Sequence, residues 1–344
     1  MRTPTLLALT VTLVLTAGRL PPDDPALAAT LRRLAAGVPG TAGVSVVHIE
    51  SGASAAINGS ARFPMMSVYK LPIVVHALRE SERGRLDLAD TVTLTDSDRR
   101  PGASEMGEII AARGPLTVTV RDIVVAVVTK SDNTASDWLL RRVGGPRAVA
   151  GTLKSLKLPG IDVSRYELEF SADYNGFCCV SKMTPFSLEK YADAIDALPE
   201  AVRIRAAKAY ESDPRDAATP VGFTTLLTDL QRRRLLNETS TAWLLGLMEQ
   251  MHARDGRIRA GLPPGTRVAL RPGTSGLTAG VRAAQNDTGI ITLPGDRGHL
   301  AIAVFLKGAN GTDEARDAAI ARFARAAYDW ALQRHSNLST PRGS

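Results

Sequence analysis

The sequence predicts a two-part fold in which both ends of the chain build one sheet and a mostly helical block lies between them. Five segments have the alternating or continuous apolar pattern of a strand: 43–50, 52–58, 268–271, 289–293 and 300–306. An amphipathic helix is predicted before the first strand, at 24–36, and another after the last, at 313–332. We therefore assign 24–64 and 253–335 to an α/β sheet part and 65–252 to an all-helical part.

Start and stop signals mark the helices of the central block. The first begins near Ser67 after a proline-led entry and ends at a glycine. Thr119 and Asp122 have the spacing of a capping box and precede an apolar run at 123–128, which predicts a buried helix. Four further helical patterns follow, at 136–143, 188–207, 223–235 and 240–252. A Gly-Gly-Pro sequence at 144–146 predicts the end of the first of these four.

Composition and charge are those of an ordinary soluble globular protein. The chain has 344 residues, 44% hydrophobic and 22% charged, which is enough for a substantial core and one or two domains. The formal net charge is +7, but the arginines are scattered, and the one tight basic run, at 232–234, lies in a helical pattern. Because basic and aromatic residues do not alternate, we expect no nucleic-acid partner.

The N-terminus has the pattern of a secretory signal peptide. A basic start is followed by a short apolar run at 6–17 and then by small residues. The run is too short for a membrane span, and no cysteine follows it to carry a bacterial lipid anchor. We predict a signal peptide and linker at 1–23 and a mature chain that starts between Gly18 and Thr30 and lacks a membrane span. The expected location is secreted or periplasmic, and 336–344 is predicted to be a tail.

Cysteine and histidine usage gives no sign of a cross-linked or metal-dependent protein. The two cysteines, Cys178 and Cys179, are adjacent, and adjacent cysteines rarely bridge because the geometry is strained. We expect both to be buried or inert and no disulfide framework to form. The five histidines show no metal-ligand spacing, so no metal is expected.

The most informative feature is a serine and a lysine three residues apart, Ser67 and Lys70. Residues i and i+3 share a helix face, so the amine can reach the serine oxygen and help to remove its proton. A helix start also leaves backbone N–H groups unpaired, so the Ser67 amide can donate to an oxyanion. A second copy, Ser187 and Lys190, lacks the proline-led entry and is predicted to lie on a surface helix. The first pair indicates a serine acyl-transfer site.

Two further motifs accompany this pair. One follows the predicted buried helix: Ser131, Asp132 and Asn133. The other continues a late strand: Arg271, Pro272, Gly273, Thr274, Ser275 and Gly276. In this order the three motifs resemble those of class A β-lactamases and penicillin-binding proteins. The resemblance extends over nearly all of 24–332. It implies a β-lactamase-like fold, with a mostly antiparallel five-stranded sheet, flanking helices and an inserted helical domain.

The resemblance also implies β-lactam hydrolysis through a serine acyl-enzyme. Ser67 would be the nucleophile, and either Lys70 or a glutamate acting through a water would be the acylation base. Ser131 would pass a proton to the leaving nitrogen and Asn133 would hold a substrate amide, with a plain helix-capping turn as the alternative for both. The other implied substrate contacts are Arg271, Gly273 and Thr274. The Thr274 amide would share the oxyanion with that of Ser67.

The omega loop of the family is enlarged in this sequence. Arg165 and Glu167 resemble its opening and Asp216 its end, which implies an Arg165–Asp216 ion pair at the loop neck. Glu167 would activate the deacylating water, with Glu169 as the nearest rival and a solvated loop carboxylate as the alternative. The loop, 165–220, exceeds the family norm by about three dozen residues, and loops of such length are usually functional or carry their own elements. Both cysteines and the second serine–lysine pair lie in the insertion.

Three departures from the family pattern bear on activity. Arg271 and Pro272 replace the usual lysine and threonine. The arginine keeps a positive charge for a substrate carboxylate, with a surface strand arginine as the alternative. The proline is acceptable because this strand is predicted to lie at the sheet edge. Ser171 replaces the asparagine that helps to hold the water, and the helix-bridging disulfide of the family cannot form.

Two other functions stay open at this point. The site could act as a serine hydrolase on a non-lactam amide or ester, with the long loop reshaping the pocket. The protein could also be a penicillin-binding sensor or trap that is acylated without turnover. In each case we expect a monomer that needs no cofactor, and the expected partner is a small β-lactam molecule.

Overall fold

The computed structural model describes residues 24–38, 40–251, 255–278 and 280–339, the last five of them as backbone only. The predicted signal peptide and linker, 1–23, lie outside the described residues. Within the described ranges, no helix is both long enough and apolar enough to cross a membrane.

The main sheet combines strands from both ends of the chain. The strands of the described chain are β1 (Thr41–His48), β2 (Ser54–Ile57), β3 (Phe63–Pro64), β4 (Thr91–Leu94), β5 (Leu116–Thr119), β6 (Ala217–Ala218), β7 (Val268–Leu270), β8 (Gly273–Thr274), β9 (Ala284–Thr292) and β10 (His299–Lys307). The order across the main sheet is β2-β1-β10-β9-β7, all antiparallel, and β8 follows β7 along the same edge of β9. The predicted five-stranded antiparallel sheet is confirmed, with β7 and β8 sharing one edge position.

Helices cover both faces of this sheet. The helices of the described chain are α1 (Pro25–Ala36), α2 (Lys70–Glu82), α3 (Glu105–Arg113), α4 (Val120–Val125), α5 (Asn133–Arg142), α6 (Gly145–Ser155), α7 (Glu167–Asn175), α8 (Leu188–Asp196), α9 (Glu200–Tyr210), α10 (Pro220–Gln231), α11 (Glu238–Glu249) and α12 (Asp313–Ser339). On one face, α1 and α12 bury side chains such as Leu31 and Phe323. On the other, the Phe305 ring of β10 packs against Phe63 and against Phe223 of α10, each with ring centroids 6.0 Å apart.

The helical block is organised around α2. Every residue of α2 from 70 to 78 is buried, because neighbouring helices, including α5 and α6, pack around it. A helix that is apolar on all sides is typical of the centre of a bundle. The charged Lys70 is therefore held in the interior at the start of this helix. The assignment of 65–252 to a separate helical domain stays a prediction.

The predicted capping box forms at the start of α4, and the segment after α4 reaches the start of α2. Thr119 Oγ1 accepts a hydrogen bond from Asp122 N–H at 3.1 Å, and Asp122 Oδ2 accepts one from Thr119 N–H at 2.9 Å. After α4 the backbone widens into a π-type turn at Ala126–Lys130, so the predicted 123–128 helix is not a regular α-helix throughout. Ser131 leaves the turn with a left-handed backbone, φ 59°, and its carbonyl oxygen meets Lys70.

Two prolines give helix boundaries that the sequence analysis did not place. The 144–146 sequence ends α5 as predicted, but it also starts α6. Gly144 turns the chain with φ 94°, and Pro146 occupies the first turn, where its missing N–H has no helical partner to lose. The predicted 188–207 helix is divided into α8 and α9, because Pro199 is extended between them and cannot continue a helix.

The last helix is longer than predicted. It was expected to end near 332, with a tail from 336, but α12 continues to Ser339. The helices α3, α6 and α7 and the two-stranded pair β4–β5 were not assigned from the sequence.

Candidate active site

Ser67 lies at the entry to the buried central helix. It belongs to the 3₁₀ turn Met66–Tyr69, which runs directly into α2. Met66, the residue before it, has φ 51°, a left-handed conformation that non-glycine side chains adopt rarely and that is typical of functional sites. The bend places Ser67 on the wall of a cleft of about 740 Å³.

The Lys70 ammonium joins the predicted catalytic groups. Its Nζ lies 3.4 Å from Ser67 Oγ, 3.4 Å from Ser131 Oγ and 2.7 Å from the Ser131 carbonyl oxygen. It also donates to Asn133 Oδ1 and forms an ion pair with Glu167 Oε1 at 2.9 Å. Four residues from three separate segments of the chain therefore meet at one buried nitrogen.

The charges of Lys70 and Glu167 are both held away from water. Burial lowers the pKa of Lys70, although the nearby Glu167 carboxylate opposes this shift. Burial raises the pKa of Glu167, and here the Lys70 charge is the opposing influence. The two pKa values are thus moved towards each other, which lowers the cost of moving a proton between these groups.

The structure brings Glu167, and not its rival Glu169, to the serine–lysine pair. Glu167 is the first residue of α7 and is buried, so it is not a solvated loop carboxylate. Its backbone N–H donates to Asp137 Oδ1 at 2.6 Å. Glu169 is exposed, and its Oε2 accepts a hydrogen bond from Tyr166 N–H at 3.0 Å as a cap of α7.

Asp137 is a site residue that the sequence analysis missed. It is buried on α5, and its second oxygen, Oδ2, accepts a hydrogen bond from Arg100 Nε at 2.5 Å. The carboxylate therefore joins the start of α7 to the loop before α3. No local signal marked it, because its neighbours one helical turn away include the polar Thr134 and the charged Arg141.

The neck of the enlarged loop is closed by a buried charge cluster. Arg165 Nε donates to Asp216 Oδ2 at 2.6 Å, and its Nη1 lies 2.7 Å from Asp173 Oδ2 and 3.1 Å from Asp213 Oδ2. The other oxygen of Asp216 accepts hydrogen bonds from the backbone N–H groups of Ser164, at 2.7 Å, and Arg165, at 3.2 Å. The two ends of the 165–220 loop are thus held together directly.

Arg271 is deeply buried, so its interpretation as a surface strand arginine is wrong. Its Nε donates to the Ser67 carbonyl oxygen at 2.7 Å, and its Nη1 donates to Val127 and Val128 carbonyl oxygens at 2.8 and 3.2 Å. Its Nη2 donates to Ser131 Oγ at 2.9 Å. Burial lowers the pKa of Arg271 to about 10. The guanidinium therefore positions Ser131 from inside the protein, and contact with a substrate carboxylate stays a prediction.

Strand β8 passes close to the Ser67 turn. A Cβ on Gly273 would lie 2.4 Å from the Met65 carbonyl oxygen, so only glycine fits here. The next residue, Thr274, lines the cleft, and its Oγ1 accepts a hydrogen bond from Arg257 Nη2 at 2.8 Å. Arg257 is buried and was also missed by the sequence analysis, since no motif surrounds it.

Comparison with known proteins identifies the family. A family model described as the β-lactamase enzyme family matches residues 26–331. The chain belongs to this family. PER-1, an extended-spectrum β-lactamase of Pseudomonas aeruginosa, is 29% identical over 319 residues, which cover 92% of this chain and 91% of the relative. VEB-1, a β-lactamase of the same organism, is 26% identical over 85% of this chain and 86% of the relative.

Solved β-lactamase structures share the fold. A β-lactamase from Chitinophaga pinensis superposes with a TM-score of 0.72 at 26% identity, covering 89% of this chain and 99% of that structure. An ancestral class A β-lactamase gives a TM-score of 0.71 at 27% identity, covering 88% and 99%. The predicted class A β-lactamase fold is confirmed.

In this β-lactamase family member the omega-loop insertion is folded and reaches the cleft. It contains α8 and α9, and residues of α8 line the cleft beside Ser67 and Glu167. Ser187 caps α8, its Oγ accepting from Lys190 N–H at 3.3 Å, so the second serine–lysine pair is structural as predicted. Both cysteines were expected to be buried or inert. Cys178 is exposed in the turn after α7, so the expectation of burial is wrong for this residue.

Proposed function

We propose that this protein hydrolyses the amide bond of β-lactams through an acyl-enzyme on Ser67. The observation that carries the proposal is the meeting of Ser67, Ser131 and Glu167 at the Lys70 nitrogen. A serine needs a neighbouring base to become nucleophilic, and Lys70 and Glu167 can both serve as that base. The same arrangement offers Ser131 to protonate the lactam nitrogen and Glu167 to deprotonate the water.

In acylation, Ser67 Oγ attacks the lactam carbonyl carbon. Its proton passes to Lys70, or to Glu167 through a water. Burial lowers the pKa of Lys70 and raises that of Glu167, and each shift brings the group closer to accepting a proton near neutral pH. Ser131, in contact with Lys70 and Arg271, then delivers a proton to the lactam nitrogen as the ring bond breaks. The carbonyl oxygen takes its negative charge beside the backbone amides of Ser67 and Thr274, each worth about 3–4 kcal/mol in such sites.

Substrate binding is assigned to the groups around this centre. Asn133 lines the cleft, and its Nδ2 donates to the Pro101 carbonyl oxygen at 2.6 Å. This bond holds the Asn133 side chain in place, where it can bind a substrate amide. Gly273 and Thr274 present the edge of β8, and positive charge for a substrate carboxylate comes from the buried Arg271 behind Ser131.

In deacylation, Glu167 takes a proton from a water that attacks the ester carbonyl. The position of Glu167 at the start of α7, facing Lys70, supports this role. Ser171, which stands where the family has asparagine, is one helical turn from Glu167 and lines the same cleft. Whether the water is held well enough decides between a hydrolase and a stalled trap.

Turnover of a chromogenic cephalosporin tests the proposal. Steady hydrolysis with many product molecules per protein supports the β-lactamase. A covalent adduct in intact-protein mass spectrometry without turnover supports the trap. If there is neither turnover nor an adduct, and the protein hydrolyses simple esters or amides, the result supports a serine hydrolase of another substrate class.

We further propose that the chain is exported to the periplasm or secreted and acts as a monomer. The basic-then-apolar pattern of 1–23 supports export. Fractionation of cells that express the full chain, compared with the chain lacking 1–23, tests the location. Light scattering after size exclusion tests the monomer.

A further inference from the structure

The two cysteines have no part in the proposed hydrolysis, and their thiols lie side by side. Cys178 is exposed, Cys179 is partly exposed, and both thiols are free. Their Sγ atoms are 2.8 Å apart. Neither cysteine is among the described residues that line the cleft. The pair is therefore a reactive feature of the enlarged loop that is separate from the residues around Ser67.

The backbone around the pair brings the two side chains together. In an extended chain, adjacent side chains point to opposite sides. Here Gly176 leaves α7 with a left-handed φ of 77°, and the Phe177 N–H donates to the Ala172 carbonyl oxygen at 2.9 Å. After the pair, the Lys182 N–H donates to the Cys179 carbonyl oxygen at 3.0 Å. The turn is thus hydrogen-bonded on both sides of the cysteines, which holds the sulfurs close to each other.

Cys178 is the thiol that a small oxidant can reach. It lines a surface hollow of about 460 Å³ between α7 and α9. Contact with Cys178 raises the pKa of Cys179, and the charge of the nearby Lys182 opposes this shift. Cys179 therefore keeps its proton and can donate it to the Cys178 sulfur. The exposed sulfur is the one that meets an incoming molecule first.

A bond between adjacent cysteines is strained, and the strain makes it reversible. Consecutive Cα atoms across a trans peptide are about 3.8 Å apart, below the separation of about 4.4–6.8 Å that is usual for bridged cysteines. Strained and exposed disulfides are easily reduced, and they are typically regulatory rather than structural. The short separation that argues against a stable disulfide framework therefore favours a bond that forms and breaks with the redox conditions.

We propose that Cys178 and Cys179 are a redox modification site that closes to a vicinal disulfide by exchange with a small-molecule disulfide. The Cys178 thiolate attacks one sulfur of the oxidant and displaces the other as a thiolate, which leaves a mixed disulfide. The Cys179 thiolate then attacks the Cys178 sulfur, and the second half of the oxidant departs as a thiolate. The two cysteines are oxidised, the oxidant is reduced to two thiols, and the cysteine protons pass to the departing thiolates. The site does not depend on the proposed hydrolysis.

Glutathione disulfide tests the site on the folded protein. After incubation with an excess of this oxidant, the sample is quenched with acid, alkylated in denaturant and measured by intact-protein mass spectrometry. The parent should lose two hydrogens, carry no glutathione and accept no alkyl group, and dithiothreitol should restore both thiols. Cys179→Ser removes the thiol that closes the ring, so this variant should retain one glutathione on Cys178.

Three results in this assay overturn the proposal. The first is a parent that retains glutathione or keeps both thiols free. The second is a parent in which the cysteines link two chains by an intermolecular disulfide. The third is a Cys179→Ser variant that stays unmodified, because Cys178 would then fail to react with the oxidant.

A second measurement separates the folded turn from simple adjacency in sequence. In mixtures of reduced glutathione and glutathione disulfide, the ratio of closed to open protein gives the equilibrium constant of the exchange. This constant should be at least about tenfold larger for the folded protein than for the same chain unfolded in urea, because the turn holds the sulfurs together. Equal constants for the folded and unfolded chains would also overturn the proposal.

Discussion

Replacing Glu167 by glutamine should leave acylation of Ser67 intact and stall deacylation. The amide keeps the shape of the buried side chain but cannot take a proton from water. General-base assistance contributes about 10²- to 10⁴-fold in rate, so the deacylation rate constant should fall by that factor. At 1.36 kcal/mol per decade this raises the barrier by about 2.7–5.4 kcal/mol.

Acylation should survive because of what the change does to Lys70. The Glu167 carboxylate, 2.9 Å from Nζ, raises the pKa of Lys70, whereas burial lowers it. Removal of the negative charge takes away the main influence that opposes burial, so the pKa of Lys70 falls further. A larger fraction of the amine is then neutral at neutral pH and available to accept the Ser67 proton.

Stopped-flow hydrolysis of a chromogenic cephalosporin measures this directly. The Glu167→Gln variant should give a burst of one product per active site, and intact-protein mass spectrometry should find the adduct at Ser67. Glu169→Gln is the matched control, because Glu169 is exposed on the same helix. If that control accumulates the adduct and Glu167→Gln turns over normally, the assignment of the general base is wrong by two residues.

Three further outcomes follow from the same geometry. Ser67→Ala should abolish both turnover and covalent labelling by a penicillin; labelling that persists would move the nucleophile, with Ser187 the first residue to examine. Because burial raises the pKa of Glu167, which must be ionised to act as a base, the rate constant for deacylation should fall on acidification at a pH above the ordinary glutamate range; a fall that begins only in the ordinary glutamate range would contradict the buried base. Asp216→Asn should lower the free energy of unfolding in urea by about 1.5–3 kcal/mol, since it removes the closest of the three carboxylates around the buried Arg165; a loss under about 1 kcal/mol would mean that the neck ion pair is not needed.

The candidate reacting groups could be selected from the sequence because short motifs carry them. Ser67 and Lys70 are close in the chain, and a single helical turn fixes their distance. Ser131 and Asn133 follow a capping box and an apolar run, both of which are local signals. Glu167 could be placed only by resemblance, because its approach to Lys70 depends on where the start of α7 packs.

The residues that support those groups could not be predicted. Arg271 occupies a motif position, yet the sequence did not indicate that its side chain turns inward to reach Ser67 and Ser131. Asp137 and Arg257 have no motif at all, and their partners lie on segments that are distant in sequence. Burial and pairing of this kind arise when separate elements pack, so they leave little trace in local periodicity.

The insertion is tolerated because the ends of the enlarged loop are fixed independently of what lies between them. Arg165 and Asp216 bond to each other at the neck, and the backbone of Glu167 is held by Asp137 from α5. Extra length then costs little, since each doubling of a flexible loop adds only about 0.6 kcal/mol of closure free energy. Because α7 starts at Glu167, beside Lys70, the segments that follow it fold beside the cleft. An insertion at this point can therefore change the wall of the cleft, through α8, without moving the residues proposed to carry out the reaction.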